Sequence, residues 1–336
     1  MKTAIRTTIL CICVLMMSAF CFSAEPHTPE ISSAIENVID NYINILPENS
    51  SLLGVQPEAY IGKLFPSVPP HFTAGISVSG TFLDTSFLSD GMKDVSRAIT
   101  GALSDATGDT ISISLNVPER IPYPAASVSA RIGGIVLPFD IGLHAVTTVG
   151  GMFDSMDFGD ATVSSDYTTL GADIRCRVYE ESLFIPQISL GGGYLYSKHT
   201  LALGAENNYI LKDGGAAANL ATQLDMSVAT HTIFVQIQAS KKIAVLTPFV
   251  GLRALFTKAD CEYGWQYETK IDGKNEVSLS DRDSRAYTVD FSDTGLNTQV
   301  FGGIGLQIAL FQLGLTVSYN FGTKYISGAV LLDFKM

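Results

Sequence analysis

From Phe72 to the last residue, Met336, apolar and polar side chains alternate with a period of two, and this constrains the fold more than any other feature of the chain. Phe72, Ala74, Ile76, Val78 and Phe82 alternate with Thr73, Gly75, Ser77, Ser79 and Thr81. Ile111, Ile113, Leu115 and Val117 alternate with Thr110, Ser112, Ser114 and Asn116. Phe311, Leu313, Leu315, Val317, Tyr319 and Phe321 form one face of the clearest run, and Gln312, Gly314, Thr316, Ser318 and Asn320 form the other. Val330, Leu332, Phe334 and Met336 repeat the pattern at the end. Successive side chains of a strand point to opposite faces, so each run reads as a strand with one apolar and one polar face.

Other runs fall at about residues 125–137, 139–149, 167–179, 186–197, 224–240, 244–257 and 296–310. Strands of a soluble sandwich usually run about 5 or 6 residues, whereas crossing a bilayer takes about 9–11. A closed barrel is the sheet that leaves no backbone group unpaired in hydrocarbon. The expected fold class is therefore all-β, an antiparallel transmembrane barrel of ten to twelve strands. Ten runs from residue 109 onward close an even barrel. The run at 72–83 is then left over, to lie inside the bore, at the rim or in the wall. Tyr263, Trp265 and Tyr267 with Tyr287, Val289 and Phe291 read as an extra hairpin that would raise the count to twelve. Short turns near Pro138, 180–185, Lys241–Lys242 and 310–312 read as periplasmic, and the long polar stretches 150–166, 198–223 and 258–295 as external loops.

The N-terminus supplies the route. Lys2 and Arg6 precede an apolar run, Thr8 to Phe22, which ends at the small residues Ser23 and Ala24, so residues 1–24 read as a secretory signal peptide. After it, Thr28 can cap and Pro29 can open a helix over 28–46, whose face is made by Ile31, Ala34, Ile35, Val38, Ile39, Tyr42, Ile43 and Leu46. Prolines at 47, 57, 66, 69 and 70 break the chain before the sheet begins. Residues 25–71 are expected to form a helical, Pro-rich plug in or against the lumen, and 72–336 the barrel. A short helix is expected at about 91–103.

Charge narrows the partners. Only 16% of residues are charged, and losing Lys2 and Arg6 with the signal peptide leaves 19 basic against 33 acidic residues, a net charge of −14. That argues against nucleic acid, which needs a basic face. The partners expected are outer-membrane lipid, the barrel-assembly machinery and a small solute; no host ligand can be read. Cys176 and Cys261 are expected to be free thiols, and no Cys and His set has metal-ligand spacing.

By alternation, Arg131, Asp140, Asp173, Arg175, Arg177, Asp225, Gln236, Gln238 and Arg253 are expected to face the lumen. Two readings stand: a polar constriction that selects a solute, or a network of Arg and carboxylate pairs that closes the bore. No enzyme is expected, since none of the five His has a motif partner. His199 would reach Asp166 or Asp213 only through folded loops. Gly191-Gly-Gly193 and Gly302-Gly303 are expected to let strands bend or the plug approach.

The helix, the Pro-rich link, the phrase Arg131-Ile-Gly-Gly-Ile-Val-Leu-Pro-Phe-Asp-Ile-Gly-Leu-His-Ala145 and the terminal strands resemble uncharacterised outer-membrane barrels of Gram-negative bacteria, including spirochaetes. In layout the chain is distantly similar to FadL-like hydrophobic-compound channels, in which an N-terminal helical segment plugs the lumen. An amphipathic helix with no other apolar partner beside a lumen of mixed charge leads to the expectation of a passive, porin-like channel or transporter for a small solute, hydrophobic compounds included, with Ile31 to Leu46 as its gate. A closed barrel acting as a surface-exposed structural protein or adhesin is the alternative, and an outer-membrane enzyme stands behind both.

Overall fold

The computed structural model describes residues 43, 52, 54–63, 71–84, 120–134, 137–147, 156–158, 161–210, 217–271, 274–289 and 297–336. The expected signal peptide, most of the plug helix (Ile31, Ile35, Val38, Ile39, Tyr42 and Leu46), the 91–103 helix and the run at 110–117 lie outside them. Ile43 of that helix is described; it is helical and buried.

The strands are β1 (Phe72–Asp84), β2 (Arg120–Gly133), β3 (Phe139–Thr147), β4 (Met156–Phe158), β5 (Ala161–Tyr179) and β6 (Gln187–Ile210). They continue as β7 (Ala217–Ser240), β8 (Leu246–Ile271), β9 (Lys274–Val289), β10 (Asn297–Ile308), β11 (Phe311–Asn320) and β12 (Ile326–Lys335). All pairings are antiparallel. The ring runs β1, β2, β3, β5, β6, β7, β8, β10, β11, β12 and returns to β1, a closed barrel of ten strands. β4 and β9 pair only with β5 and β8 and stand outside it.

Two expectations change. The surplus strand at 72–83 is part of the wall: β1 pairs with β12 from Thr73↔Lys335 to Thr81↔Ser327 and closes the ring. Tyr263, Trp265, Tyr267, Tyr287 and Val289 do belong to a hairpin, formed by β8 and β9, but it extends one wall strand upward and does not widen the barrel. The stretches 198–223 and 258–295 are largely strand as well. β6 and β7 each run 24 residues and β8 runs 26, well past the roughly 9–11 that cross hydrocarbon.

At one end residues 180–186, 241–245 and 309–310 join adjacent strands, and Phe72 and Met336 exchange main-chain hydrogen bonds of 3.1 and 3.0 Å. Ala244 and Ala309 take positive φ values of 53° and 52° there, as tight turns require. This end is periplasmic.

Every ring strand presents apolar residues outward. Val78, Val128, Leu143, Leu170, Leu190, Val235, Val250, Ile304, Leu315 and Val330 sample the circumference and are exposed. Inward from the same strands stand Ser77, Ser127, His144, Thr169, Ser189, Gln236, Arg253, Gln299, Thr316 and Ser327, nearly all fully buried. A chain with apolar residues outside and polar ones inside is stable only where the outer solvent is hydrocarbon. Above the belt the two faces exchange character. Asp166, Lys198, Asp225, Asp260 and Glu262 face out, while Tyr167, Leu201, Met226, Val228, Cys261 and Tyr263 are buried inside. That is the polarity of a barrel wall standing in water. The protein is an outer-membrane β-barrel whose β5–β9 wall projects beyond the lipid.

Candidate functional site in the lumen

Hydrogen-bond register places the inward side chains in rows around the bore. In one row Thr73, Arg131, Gly142, Asp173, Gly193 and Phe234 are successive cross-strand neighbours on β1, β2, β3, β5, β6 and β7. In the next, Gly133, Asp140, Arg175, Gly191, Gln236, Arg253 and Gln299 run from β2 to β10. Large side chains lie over the glycines between them. A Cβ at Gly142 would meet Arg131 Nη2 at 2.4 Å and Asp173 Oδ2 at 2.5 Å; one at Gly193 would meet Phe234 Cζ at 2.6 Å. So Gly191 and Gly193 clear space for wall side chains rather than for a bend or an approaching plug.

The charged residues form one buried network. Arg131 Nη1 donates to Asp140 Oδ1 at 2.6 Å, and its Nη2 donates to Asp173 Oδ1 and Oδ2 at 2.8 and 2.7 Å. Arg175 Nε and Nη2 donate to Asp140 Oδ1 and Oδ2 at 2.9 and 3.0 Å. His144 Nε2 lies 2.5 Å from Asp173 Oδ2. Two guanidinium groups thus face two carboxylates with most of their donors used, the condition under which a buried ion pair can stand. The phrase 131–145 supplies Arg131, Asp140, Gly142 and His144, and is the main source of the network.

Arg253 lies outside this cluster. Its Nη2 donates to Gln236 Oε1 at 2.6 Å, and the guanidinium sits 4.7 and 5.3 Å from the ring centres of Phe234 and Phe301, in cation–π range. A cavity of about 10 Å³ between Gly54, His144, Asp173, Gln236 and Arg253 has room for one water. Asp333 is fully buried against Gly75 and, among the described residues, neither of its carboxylate oxygens accepts a hydrogen bond.

Residues 54–63, which lie within the expected plug segment 25–71 but form a strap where a helix was the expected gate, cross the half of the bore nearest the short turns. Ala59 N–H donates to Ser240 Oγ (2.9 Å), Tyr60 N–H to Gln187 Oε1 (3.0 Å) and Ile61 N–H to Asp140 Oδ2 (3.1 Å). Gln238 Nε2 and Arg175 Nη1 donate to the carbonyls of Gln56 and Glu58, at 2.7 and 2.9 Å. Gln56 Nε2 donates to Thr73 Oγ1 at 2.6 Å, and Lys335 pairs with the Glu58 carboxylate. Val55 packs with Phe249 and Phe301. The one available signal was indirect: inward Gln187, Gln238 and Ser240 at the periplasmic ends of their strands need partners that the wall does not provide.

Arg131, Asp140, Asp173, Arg175, Gln236, Gln238 and Arg253 are inward and buried. Arg177 is at the rim, paired with Glu180 at 2.9 Å and 5.2 Å from the Tyr60 ring centre. Asp225 is a correction. It is exposed and receives Gln223 Nε2 at 3.0 Å, because β7 pairs on both sides without a bulge and its even-numbered residues, Met226 to Ser240, take the inner face. His199 is inward, stacked on Tyr167 with ring centres 5.0 Å apart, while Asp166 points outward from β5, so the two do not meet. Asp213 lies outside the described residues. Cys176 is exposed and Cys261 buried, and the two do not form a disulfide. Among the described residues no three His, Cys, Asp or Glu side chains converge as metal ligands.

Ring, belt, projecting wall and internal strap together define a plugged outer-membrane β-barrel. No protein-family model and no curated protein sequence matches the chain. Among solved structures it is similar to the outer-membrane protease OmpT from Escherichia coli, at 10% identity and a TM-score of 0.40, over 83% of this chain and 100% of that one. It is similar to the translocator domain of the autotransporter NalP from Neisseria meningitidis at 11% identity and a TM-score of 0.32, over 81% and 91%. It is also similar to an outer-membrane channel from Pseudomonas putida F1 at 10% identity and a TM-score of 0.30, over 79% and 95%.

Proposed function

We propose that the protein is a passive outer-membrane channel for a small solute, closed at rest by the strap at 54–63. The observation that carries this reading is how the strap is held. It is no strand of the sheet, and side chains of the wall bind it one contact at a time, each neutral hydrogen bond worth only about 0.5–1.5 kcal/mol net and each one to a charged group about 1.5–3 kcal/mol. Such a segment can leave the bore without breaking the barrel. The occluding chain belongs to the expected plug segment, 25–71, but lies further along than the helix face expected to act as the gate. With the strap withdrawn, Arg131, Asp140, Arg175 and Gln238 would line the path, a mixed-charge surface without strong preference for either sign. In this reading the barrel performs no reaction.

The test is conductance in planar bilayers of the native chain and of a variant in which 54–63 is replaced by Gly and Ser at equal length. The native barrel should be nearly silent and the variant should show stepwise currents. Silence from both overturns the reading.

A second reading is favoured by the exchange of polarity above the belt: the projecting β5–β9 wall offers a large water-facing surface for adhesion or display. If cells carrying the protein hold to immobilised extracellular-matrix protein no better than cells without it, this second reading fails.

A further inference from the structure

The wall reads the strap chiefly through its main chain. Between Gln56 and Ile61, the N–H groups of Ala59, Tyr60 and Ile61 and the carbonyls of Gln56 and Glu58 are each met by a wall side chain, from β3, β5, β6 or β7. A buried segment outside helix and sheet cannot pair its main chain internally, and here the wall side chains supply the partners. Wall donors and acceptors that meet the main chain of a segment which bends at residues 57–59 and joins no strand are a chemistry by which proteins hold peptides.

Two further features add a preference. Lys335 pairs with the Glu58 carboxylate, and the Pro57 ring occupies a slot left by two glycines: a Cβ at Gly305 would lie 2.6 Å from Pro57 Cβ, and one at Gly314 would lie 3.1 Å from Pro57 Cγ. We propose that these wall residues form a binding site for a short peptide held in a bent conformation, occupied at rest by the chain's own residues 55–61 as a pseudosubstrate. The inference rests on the strap-gated reading and names its solute class: short peptides, with a Pro followed by an acidic residue preferred. Peptides of other sequence bind through the main-chain contacts alone, more weakly.

The test uses the full chain with 54–63 replaced by Gly and Ser, folded in detergent micelles, and a fluorescent, end-blocked peptide of sequence Val-Gln-Pro-Glu-Ala-Tyr-Ile. Saturable binding is expected. It should weaken by about tenfold or more when the Ala, Tyr and Ile nitrogens are methylated, since three hydrogen bonds are lost, and also when the peptide's Glu is changed to Gln. Absence of saturable binding, or equal binding of the methylated and unmethylated peptides, overturns the proposal.

Should that variant not fold, the intact chain carrying Glu58→Gln serves, since it loosens the strap and leaves Lys335 to pair with the peptide's Glu. Millimolar peptide should speed hydrogen exchange at the amides of Ala59, Tyr60 and Ile61 by about tenfold through displacement of the strap, and unchanged exchange overturns the proposal. Conductance separates the two readings. A strap-replaced barrel that passes ions but ignores the peptide overturns the peptide site and leaves strap gating intact. One that binds the peptide without conducting supports the site and contradicts the channel.

Discussion

Arg131 and Asp173 meet across Gly142: Nη2 of the arginine lies 2.8 and 2.7 Å from the two carboxylate oxygens, on strands separated by the one that carries the glycine. The contact joins two strands that do not pair with each other. It therefore fixes the inner circumference of the barrel as well as local charge.

Arg131→Met leaves Asp173 with His144 as its remaining partner in the network, and removal of one member of a buried pair costs about 3–5 kcal/mol. Asp173→Asn should cost a similar amount. The double variant should cost clearly less than the two singles together, because neither leaves the other's charge stranded. Urea unfolding in detergent or lipid, followed by tryptophan fluorescence, measures all three.

Gly142→Ala would place a Cβ 2.4 Å from Arg131 Nη2 and 2.5 Å from Asp173 Oδ2, and should destabilise the barrel by about 1–3 kcal/mol. Gly80→Ala meets nothing within 4 Å and should be neutral or slightly stabilising. The same unfolding experiment compares them, and equal effects would contradict the packing of large side chains over glycines.

Leu315 is exposed near the middle of β11, and Phe311 lies at its periplasmic start. Leu315→Arg should cost about 2–4 kcal/mol in lipid, and Phe311→Arg about 0–1. Folding titrations into phospholipid vesicles give both values. In a water-soluble sandwich the gradient with depth would be absent.

Cys176 faces outward opposite Leu190, and Cys261 faces inward and is buried. A lipid-soluble maleimide should label the first in folded, membrane-inserted protein and reach the second only after unfolding. Mass spectrometry of tryptic peptides shows which thiol carries the adduct.

Sequence pattern shows the architecture where one face meets lipid, because there the alternation is forced by two different solvents; β11 and β12 are legible residue by residue. It misleads above the lipid. There the outside is polar and the inside apolar, so stretches such as 198–210 and 258–271 read as polar loops although they continue β6 and β8. Asp225 fails for the same reason: above the belt a carboxylate belongs outside, and its odd position on β7 could have shown that it cannot share a face with Gln236 and Gln238. The ionic network was legible as a set of inward residues, whereas its arrangement depends on register, which alternation within single strands does not contain. The strap lies within the segment expected as a plug, but its course and contacts were illegible because a segment held by its main chain has no side-chain pattern to display.

The account depends most on which medium surrounds the outer face, and spin labels placed in turn at Val78, Val235 and Leu315, on three separated strands, test that directly in vesicles. All three labels should collide freely with dissolved oxygen, which concentrates in hydrocarbon, and hardly at all with a water-soluble nickel chelate. Ready access of the chelate to these positions, or exclusion of both reagents as in a packed protein interior, would contradict the membrane barrel and the functional readings built on it.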